Sequence, residues 1–270
     1  MQIELKLDFT YPLQMKYQRG MMLLLFCLLS MPAIGTEKTQ LLILDGDNIE
    51  PYSIAGQKNQ EPSGIQAELF RAIFADSKFA VHFLLVPLYR VSSEINSLHA
   101  DGSTRMDESD IAGYRSSPYI AYHACLITTA TKRNYKSVKE VKTGRIIGFQ
   151  HASSSFSQEL NDALTGNPNY SEVNDQSKQV FQLLTGHVDA IIADFYIASF
   201  KKELLTAQHP RLQKKNLKCD IDLQGKAYQA FFINKEPAIA FDKGLHQIVE
   251  DGTYDKILEK YGVKNKLKPN

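Results

Sequence analysis

The apolar positions of this chain fall into short unbroken runs separated by longer stretches with a helical repeat. Leu41–Leu44 is wholly apolar and Val81–Val86 nearly so, which predicts two strands. Between them Ile65, Leu69, Ala72 and Ile73 recur at i, i+4, i+7 and i+8, the spacing of one helix face. A strand apolar on both sides is covered on both sides, so strand, helix, strand in this order predicts a parallel sheet with helices on its faces. The picture repeats further on. Arg145–Phe149 and Ala190–Ala193 read as strands, and Ser155–Leu164 and Gln176–Leu184 between them as helices. The chain is therefore α/β, with the pattern present twice. Phe241–Tyr261 reads as helix, interrupted at Asp251-Gly252-Thr253 by a turn signal. The segment after Gly262, with three Lys and one Pro, is expected to fray.

Two segments share a frame. Ala121-Tyr-His-Ala-Cys-Leu-Ile and Ala227-Tyr-Gln-Ala-Phe-Phe-Ile both read Ala-Tyr-x-Ala followed by apolar residues, and they border the middle of the chain. They are read as paired crossover strands, one leaving the first lobe and one returning. The expected divisions are residues 1–35 as a leader, 36–126 as the first part of lobe one and 127–226 as lobe two. Residues 227–262 form the return to lobe one, and 263–270 a tail.

The leader differs from the rest. Met21–Leu29 is an apolar run preceded by Lys16 and Arg19 and followed by Ala33-Ile34-Gly35, which has the layout of a secretory signal. The run is too short to cross roughly 30 Å of hydrocarbon as a helix. Export, with cleavage near Gly35, is the expectation. Cys27 would leave with the leader, and Cys125 and Cys219 would remain as either a disulfide or two buried thiols.

Composition narrows the functions. Thirty-one basic against 30 acidic side chains leave a net charge of +1 over 270 residues. Such a balance has no field to attract nucleic acid or a membrane surface. No Cys-x-x-Cys or His-Glu-x-x-His spacing suggests a metal, and no cofactor is expected. Asp45-Gly46-Asp47-Asn48 starts like a calcium loop, but Glu50 stands where that loop needs Gly, so a turn at the end of a strand is the better reading. Glycine-rich phosphate loops and the Gly-x-Ser-x-Gly elbow are missing.

The remaining features suit a small polar molecule. Tyr52 follows the first strand and Arg90 the second, at the carboxyl edge where α/β sheets bind ligands. Arg105 and Arg115 lie in the next loop, before Ser116-Ser117-Pro118-Tyr119, and an Arg fork matches a carboxylate. Ser153 and Ser154 precede a helix and offer hydroxyls and backbone N–H groups to an anion. Asp194 closes an apolar strand and could take an ammonium.

From Leu41 to Gly262 the sequence resembles the bacterial extracellular solute-binding proteins of family 3, the amino-acid-type periplasmic binding proteins. The resemblance rests on Glu50-Pro-Tyr52, Gly64-Ile-Gln-Ala-Glu-Leu69, Pro87-Leu-Tyr-Arg90, Ser117-Pro-Tyr119, Gly186-His-Val-Asp-Ala190 and Asp251-Gly-Thr-Tyr254. It implies a two-lobed, type II periplasmic-binding-protein-like fold with two hinge crossover strands, closing on an amino acid or related carboxylate. In that scheme Tyr52 stacks on the ligand and an Arg of the first lobe, Arg90, Arg105 or Arg115, holds its carboxylate. Asp194 pairs with its amine, Tyr119 and Ser153 or Ser154 lie at the cleft, and Asp189 is a structural cap. The family's usual Thr-x-x-Arg is replaced by Asp101-Gly-Ser-Thr-Arg-Met-Asp-Glu-Ser-Asp110. The resemblance further implies a periplasmic monomer, not an enzyme, that delivers its solute to an inner-membrane ABC permease. A dehydratase-like enzyme on the same fold, with Glu50 or Glu61 as general acid, and a stand-alone sensory receptor are the alternatives.

Overall fold

The computed structural model describes residues 37–264, apart from Asp47, Asn59, Leu98, 107–110 and 131–132. The expected leader and most of the expected tail lie outside the described residues. The fold is α/β, built on two five-stranded sheets.

The first sheet has the order β2-β1-β3-β10-β4. Its strands are β1 (Thr39–Gly46), β2 (Phe79–Val86), β3 (Gly102–Ser103), β4 (Tyr114–Ala121) and β10 (Ala227–Phe232). β1 runs parallel to β2 and β3, whereas β10 is antiparallel to β3 and β4. The second sheet has the order β7-β6-β8-β5-β9. It comprises β5 (Ala124–Thr129), β6 (Ile146–Phe149), β7 (Tyr170–Val173), β8 (Ala190–Asp194) and β9 (Leu217–Asp222). Here β6 is parallel to β7 and β8, and β5 is antiparallel to β8 and β9. Each sheet is thus mainly parallel, with its single reversed strand fourth in the order. That reversed strand is in both cases the one reached by crossing from the other sheet.

Both faces of each sheet are packed, as the apolar strands require. Helices α1 (Ile65–Ile73), α6 (Lys235–Glu250) and α7 (Thr253–Lys260) cover one face of the first sheet. Phe70 sits at the centre of this core, 4.9 Å from Phe241 and 5.5 Å from Tyr119, edge to face. The chain has no Trp, so these smaller rings are the large aromatic groups of the core, and truncating Phe70 to Ala would cost about 3–5 kcal/mol. On the other face, α2 (Val91–Ser97) buries Val91 and Ile95 against Leu44 and Phe231. In the second lobe α3 (Gln158–Thr165) packs on one side, and α4 (Gln176–Thr185) and α5 (Phe195–Gln208) on the other.

Local chemistry sets the helix ends. The helix expected from Ser155 begins only at Gln158, because Ser157 caps it by accepting from the Leu160 N–H. Asp175 caps α4 through the N–H groups of Ser177 and Lys178, and Gly186 ends it at φ 82°. The break expected at Asp251-Gly252 occurs, with Gly252 at φ 78°. The helix before it starts earlier than its apolar repeat suggested, at Lys235.

The two Ala-Tyr-x-Ala frames do lie together. Ala121 pairs with Ala227, and the chain then crosses at Tyr122-His123 in one direction and at residues 223–226 in the other. Tyr122 N–H donates to the Lys226 carbonyl (3.2 Å) and Leu223 N–H to the Ala124 carbonyl (2.9 Å), binding the two crossings side by side. A Cβ at Gly225 would stand 1.2 Å from the Tyr122 carbonyl oxygen, so only glycine permits this approach. The difference from the expectation is in the strands beyond: the first frame ends in the second sheet, the returning frame wholly in the first.

Candidate functional site

The site grows from the loop after β1. Ile65 and Gln66, in the first turn of α1, donate their N–H groups to the carbonyls of Pro51 and Tyr52. This fixes the loop, and Gly64 at φ 106° leaves room for the same carbonyls, where a Cβ would come within 2.9 Å. Tyr52 is therefore held in place and fully buried. Its ring stacks on Tyr122 of the crossover at 4.2 Å and 22° between planes, and Tyr122 meets Tyr228 of the returning strand at 4.8 Å.

Arg105 lies against this aromatic group. Its guanidinium carbon is 5.4 Å from the Tyr122 ring and 5.3 Å from the Tyr228 ring, with 7% of the residue exposed. The attraction between a cation and aromatic faces is stronger where water is excluded. Asp45, at the end of β1, adds negative charge nearby. Its carboxylate accepts from Ser53 Oγ (2.6 Å), Gln66 Nε2 (2.8 Å) and Thr104 Oγ1 (2.8 Å). Burial raises the Asp45 pKa to about 6 even against these hydrogen bonds and the charge of Arg105.

The second lobe contributes Asp194, at the end of β8 and at the N-cap of α5. Its carboxylate accepts from the N–H groups of His123 (2.5 Å), Tyr196 (2.9 Å) and Ile197 (2.9 Å). The Tyr52 hydroxyl reaches it at 3.3 and 3.5 Å. Only 8% of Asp194 is exposed, and burial raises its pKa to about 6 despite four donors. The same burial, with Asp194 close by, pushes the Tyr52 hydroxyl pKa up. An ion pair also joins the lobes: Lys201 on α5 meets Glu50, both side chains being mostly buried. Beside it is a cavity of about 470 Å³, lined from the first lobe by Asn48 and Ile49 and from the second by Gln150, Ser177, Ile197 and Lys201. That volume lies in the range of small-molecule sites.

The other residues named from sequence have different surroundings. Arg90 is exposed and paired with Glu94. Arg115 is exposed too; it donates to the Met106 carbonyl (3.0 Å) and lies 5.8 Å from the Phe231 ring. Tyr119 is buried inside the first core, donating its hydroxyl to the Thr104 carbonyl (2.9 Å). The turn Ala152–Ser154 already has an anion of its own: Glu172 accepts from the N–H groups of His151 (2.7 Å) and Ser153 (2.9 Å) and from the Tyr170 hydroxyl (2.7 Å). These bonds outweigh desolvation and hold the Glu172 pKa at about 2. The hydroxyl of Ser154 donates to the His151 carbonyl (3.1 Å). Asp189 ties down Arg145 through its backbone and guanidinium, the structural role expected of it.

Sequence reasoning missed Asp45, Tyr122, Tyr228 and Lys201. A signal for two of them was present, since Tyr122 and Tyr228 occupy the same position in the two crossover frames. Asp45 was read only as part of a turn. The open question of the cysteines is answered as well: Cys125 and Cys219 form a disulfide between β5 and β9. No helix of the described residues is long and apolar enough to cross a membrane.

Comparison with known proteins agrees with this architecture. The sequence profile of the bacterial extracellular solute-binding proteins, family 3, matches residues 42–264. No curated protein matches the chain by sequence alone. Among solved structures, the second substrate-binding domain of Lactococcus lactis GlnP in open conformation is 22% identical, with a TM-score of 0.63 over 83% of this chain and 96% of that one. An ancestral arginine-binding protein bound to arginine is 20% identical, with a TM-score of 0.59 over 84% and 99%. The ancestral cationic amino acid solute-binding protein AncCDT-1 is 16% identical, with a TM-score of 0.64 over 82% and 95%. At these identities the structural likeness establishes the fold. The profile match, over most of the chain, establishes that this protein belongs to the bacterial extracellular solute-binding proteins, family 3.

Proposed function

We propose that this member of the family is an exported, non-enzymatic receptor that encloses a small polar solute bearing an amine, an amino acid or related carboxylate, and delivers it to an inner-membrane ABC permease. The observation that carries this reading is the meeting of Tyr52 from the first lobe with Asp194 from the second, beside the buried Arg105. An ammonium replacing the Tyr52 hydroxyl on Asp194 would gain a charged partner in a site of low dielectric. Arg105 supplies the cation for a carboxylate, and Tyr52, Tyr122 and Tyr228 the flat apolar walls. Two of the similar structures, the arginine-bound ancestral protein and the ancestral cationic amino acid solute-binding protein, support an amino acid as the class of solute.

A dehydratase-like activity would need a free general acid in the cleft. Glu50 is committed to Lys201, and Glu61 to Arg71 (3.0 Å) and His82 (2.7 Å). The receptor reading therefore asks less of the residues present. Thermal-shift screening of the mature chain against amino acids, polyamines and small carboxylates, followed by calorimetry on each hit, tests it. A saturable amine-bearing ligand recovered unchanged supports the receptor, and turnover of that ligand or no hit in the whole panel refutes it.

A further inference from the structure

We propose that Cys125, Cys219 and His123 form a redox-gated site for a soft divalent cation such as Zn²⁺, closed as a disulfide and opened as a dithiol. The disulfide joins neighbouring strands of the second sheet with its Cα atoms 5.5 Å apart. His123 in the crossover turns its Nε2 toward it, 3.6 Å from Cys125 Sγ. The imidazole nitrogen and both sulfurs all lie within 4.8 Å of one another. Asp222, the residue opposite Cys125 in the β5–β9 pairing, places Oδ2 at 3.4 Å from the same nitrogen. Two thiolates and an imidazole are the donor set that tetrahedral Zn²⁺ prefers, with a carboxylate or water in the fourth position. With Zn–S near 2.3 Å, the sulfurs of such a site stand roughly 3.8 Å apart. Neighbouring strands can provide that separation by side-chain rotation alone.

The gate follows from the burial of the two sulfurs. Cys125 is fully buried, whereas Cys219 is partly exposed on the edge strand β9. A dithiol reductant attacks Cys219 Sγ as its thiolate. The S–S bond breaks, and Cys125 departs as a thiolate beside His123. The second thiol of the reductant then attacks the mixed disulfide and frees Cys219, so the reductant ends as a cyclic disulfide and the protein as two thiols. The cation binds in place of the two thiol protons, which pass to solvent. No part of this depends on the identity of the solute held in the cleft.

The test uses the mature chain, reduced with a dithiol, desalted anaerobically and titrated with Co²⁺ as a spectroscopic stand-in for Zn²⁺. We expect one Co²⁺ per reduced chain, with thiolate-to-cobalt charge-transfer and tetrahedral ligand-field bands that Zn²⁺ abolishes. The oxidised chain should show neither. His123→Ala should weaken Co²⁺ at least tenfold while the disulfide still forms on oxidation, and Cys219→Ser should remove the charge-transfer band. A reduced, folded chain without these bands would overturn the proposal, as would a His123→Ala chain of unchanged affinity. Loss of the fold on reduction, seen by far-UV circular dichroism, would overturn it too, because the site needs the paired strands.

Discussion

The Tyr52 hydroxyl stands 3.3 Å from the Asp194 carboxylate although 142 residues separate them in the chain and they belong to different lobes. One is fixed by the first turn of α1, the other by its own role as the cap of α5. The contact therefore reports the relative position of two separately built lobes. A solute amine that took the place of the hydroxyl would be sensed by both.

Asp194→Asn separates recognition from folding. The amide oxygen can still accept from Tyr196 and Ile197 and so cap α5, at the cost of the His123 N–H bond, but the charge is gone, so an amine-bearing solute should bind about ten- to a hundredfold more weakly, as expected for the loss of roughly 1.5–3 kcal/mol. Asp194→Ala should lose the same affinity and in addition about 1 kcal/mol of stability, the typical worth of an N-cap. Calorimetry and urea unfolding on the pair decide it. Equal affinity for parent and Asn variant would place the amine elsewhere.

The three arginines should differ sharply. Arg105→Ala should weaken a carboxylate solute at least tenfold, since this is the cation buried between two rings. Arg90→Ala and Arg115→Ala should stay within about twofold, close to the 0.4 kcal/mol scale of exposed pairs. If Arg90 or Arg115 shows the large effect and Arg105 does not, the carboxylate lies on the outer edge of the first lobe.

Asp45 and Asp194 are both raised from 3.8 to about 6 in the folded chain. A carboxyl with a higher pKa folded than unfolded holds its proton more tightly in the folded state. Each therefore favours folding below about pH 4 and loses that contribution as pH rises to about 6, on the order of 3 kcal/mol apiece. Stability in urea should fall between pH 5 and pH 6.5, and Asp45→Asn should flatten part of that slope. A carboxylate that receives an ammonium must be ionised, so affinity for an amine-bearing solute should drop toward tenfold per pH unit below about pH 6. Stability that stays level from pH 5 to pH 6.5 in the parent chain would contradict the burial of these two groups.

The Glu50–Lys201 pair links the lobes independently of any solute. Lys201→Ala leaves Glu50 without its cation and removes one of the contacts that hold the lobes together. Small-angle scattering should then give a larger radius for the solute-free variant than for the parent, and a saturating solute should reduce the difference. Identical profiles for parent and variant in the absence of solute would show that the pair does not restrain the lobes.

Export is tested at the amino terminus. Mass spectrometry of a periplasmic fraction should find a chain beginning at Thr36 or within a few residues of it. Recovery of the uncleaved chain from the cytoplasm alone would count against the leader.

What the sequence determined by itself is what local pattern controls. Short apolar runs such as Leu41–Leu44 and Ala190–Ala193, set between helical repeats, read as strands covered on both faces, and Asp251-Gly252 reads as a break because glycine takes the left-handed conformation at little cost. The double α/β plan and the crossover at Ala121 and Ala227 were legible on those grounds, whereas the choice among Arg90, Arg105 and Arg115 was left open. The tertiary structure decided what depends on distance between remote segments. It brought Tyr122 and Tyr228 together under Arg105, buried Asp45 beneath Ser53, Gln66 and Thr104, and filled the turn at Ser153 with Glu172 from the neighbouring strand. It also joined Cys125 to Cys219 across 94 residues. None of these partners is marked by spacing, since a hydrogen bond or an ion pair requires proximity in space, and proximity is set only when both sheets and their crossovers are in place.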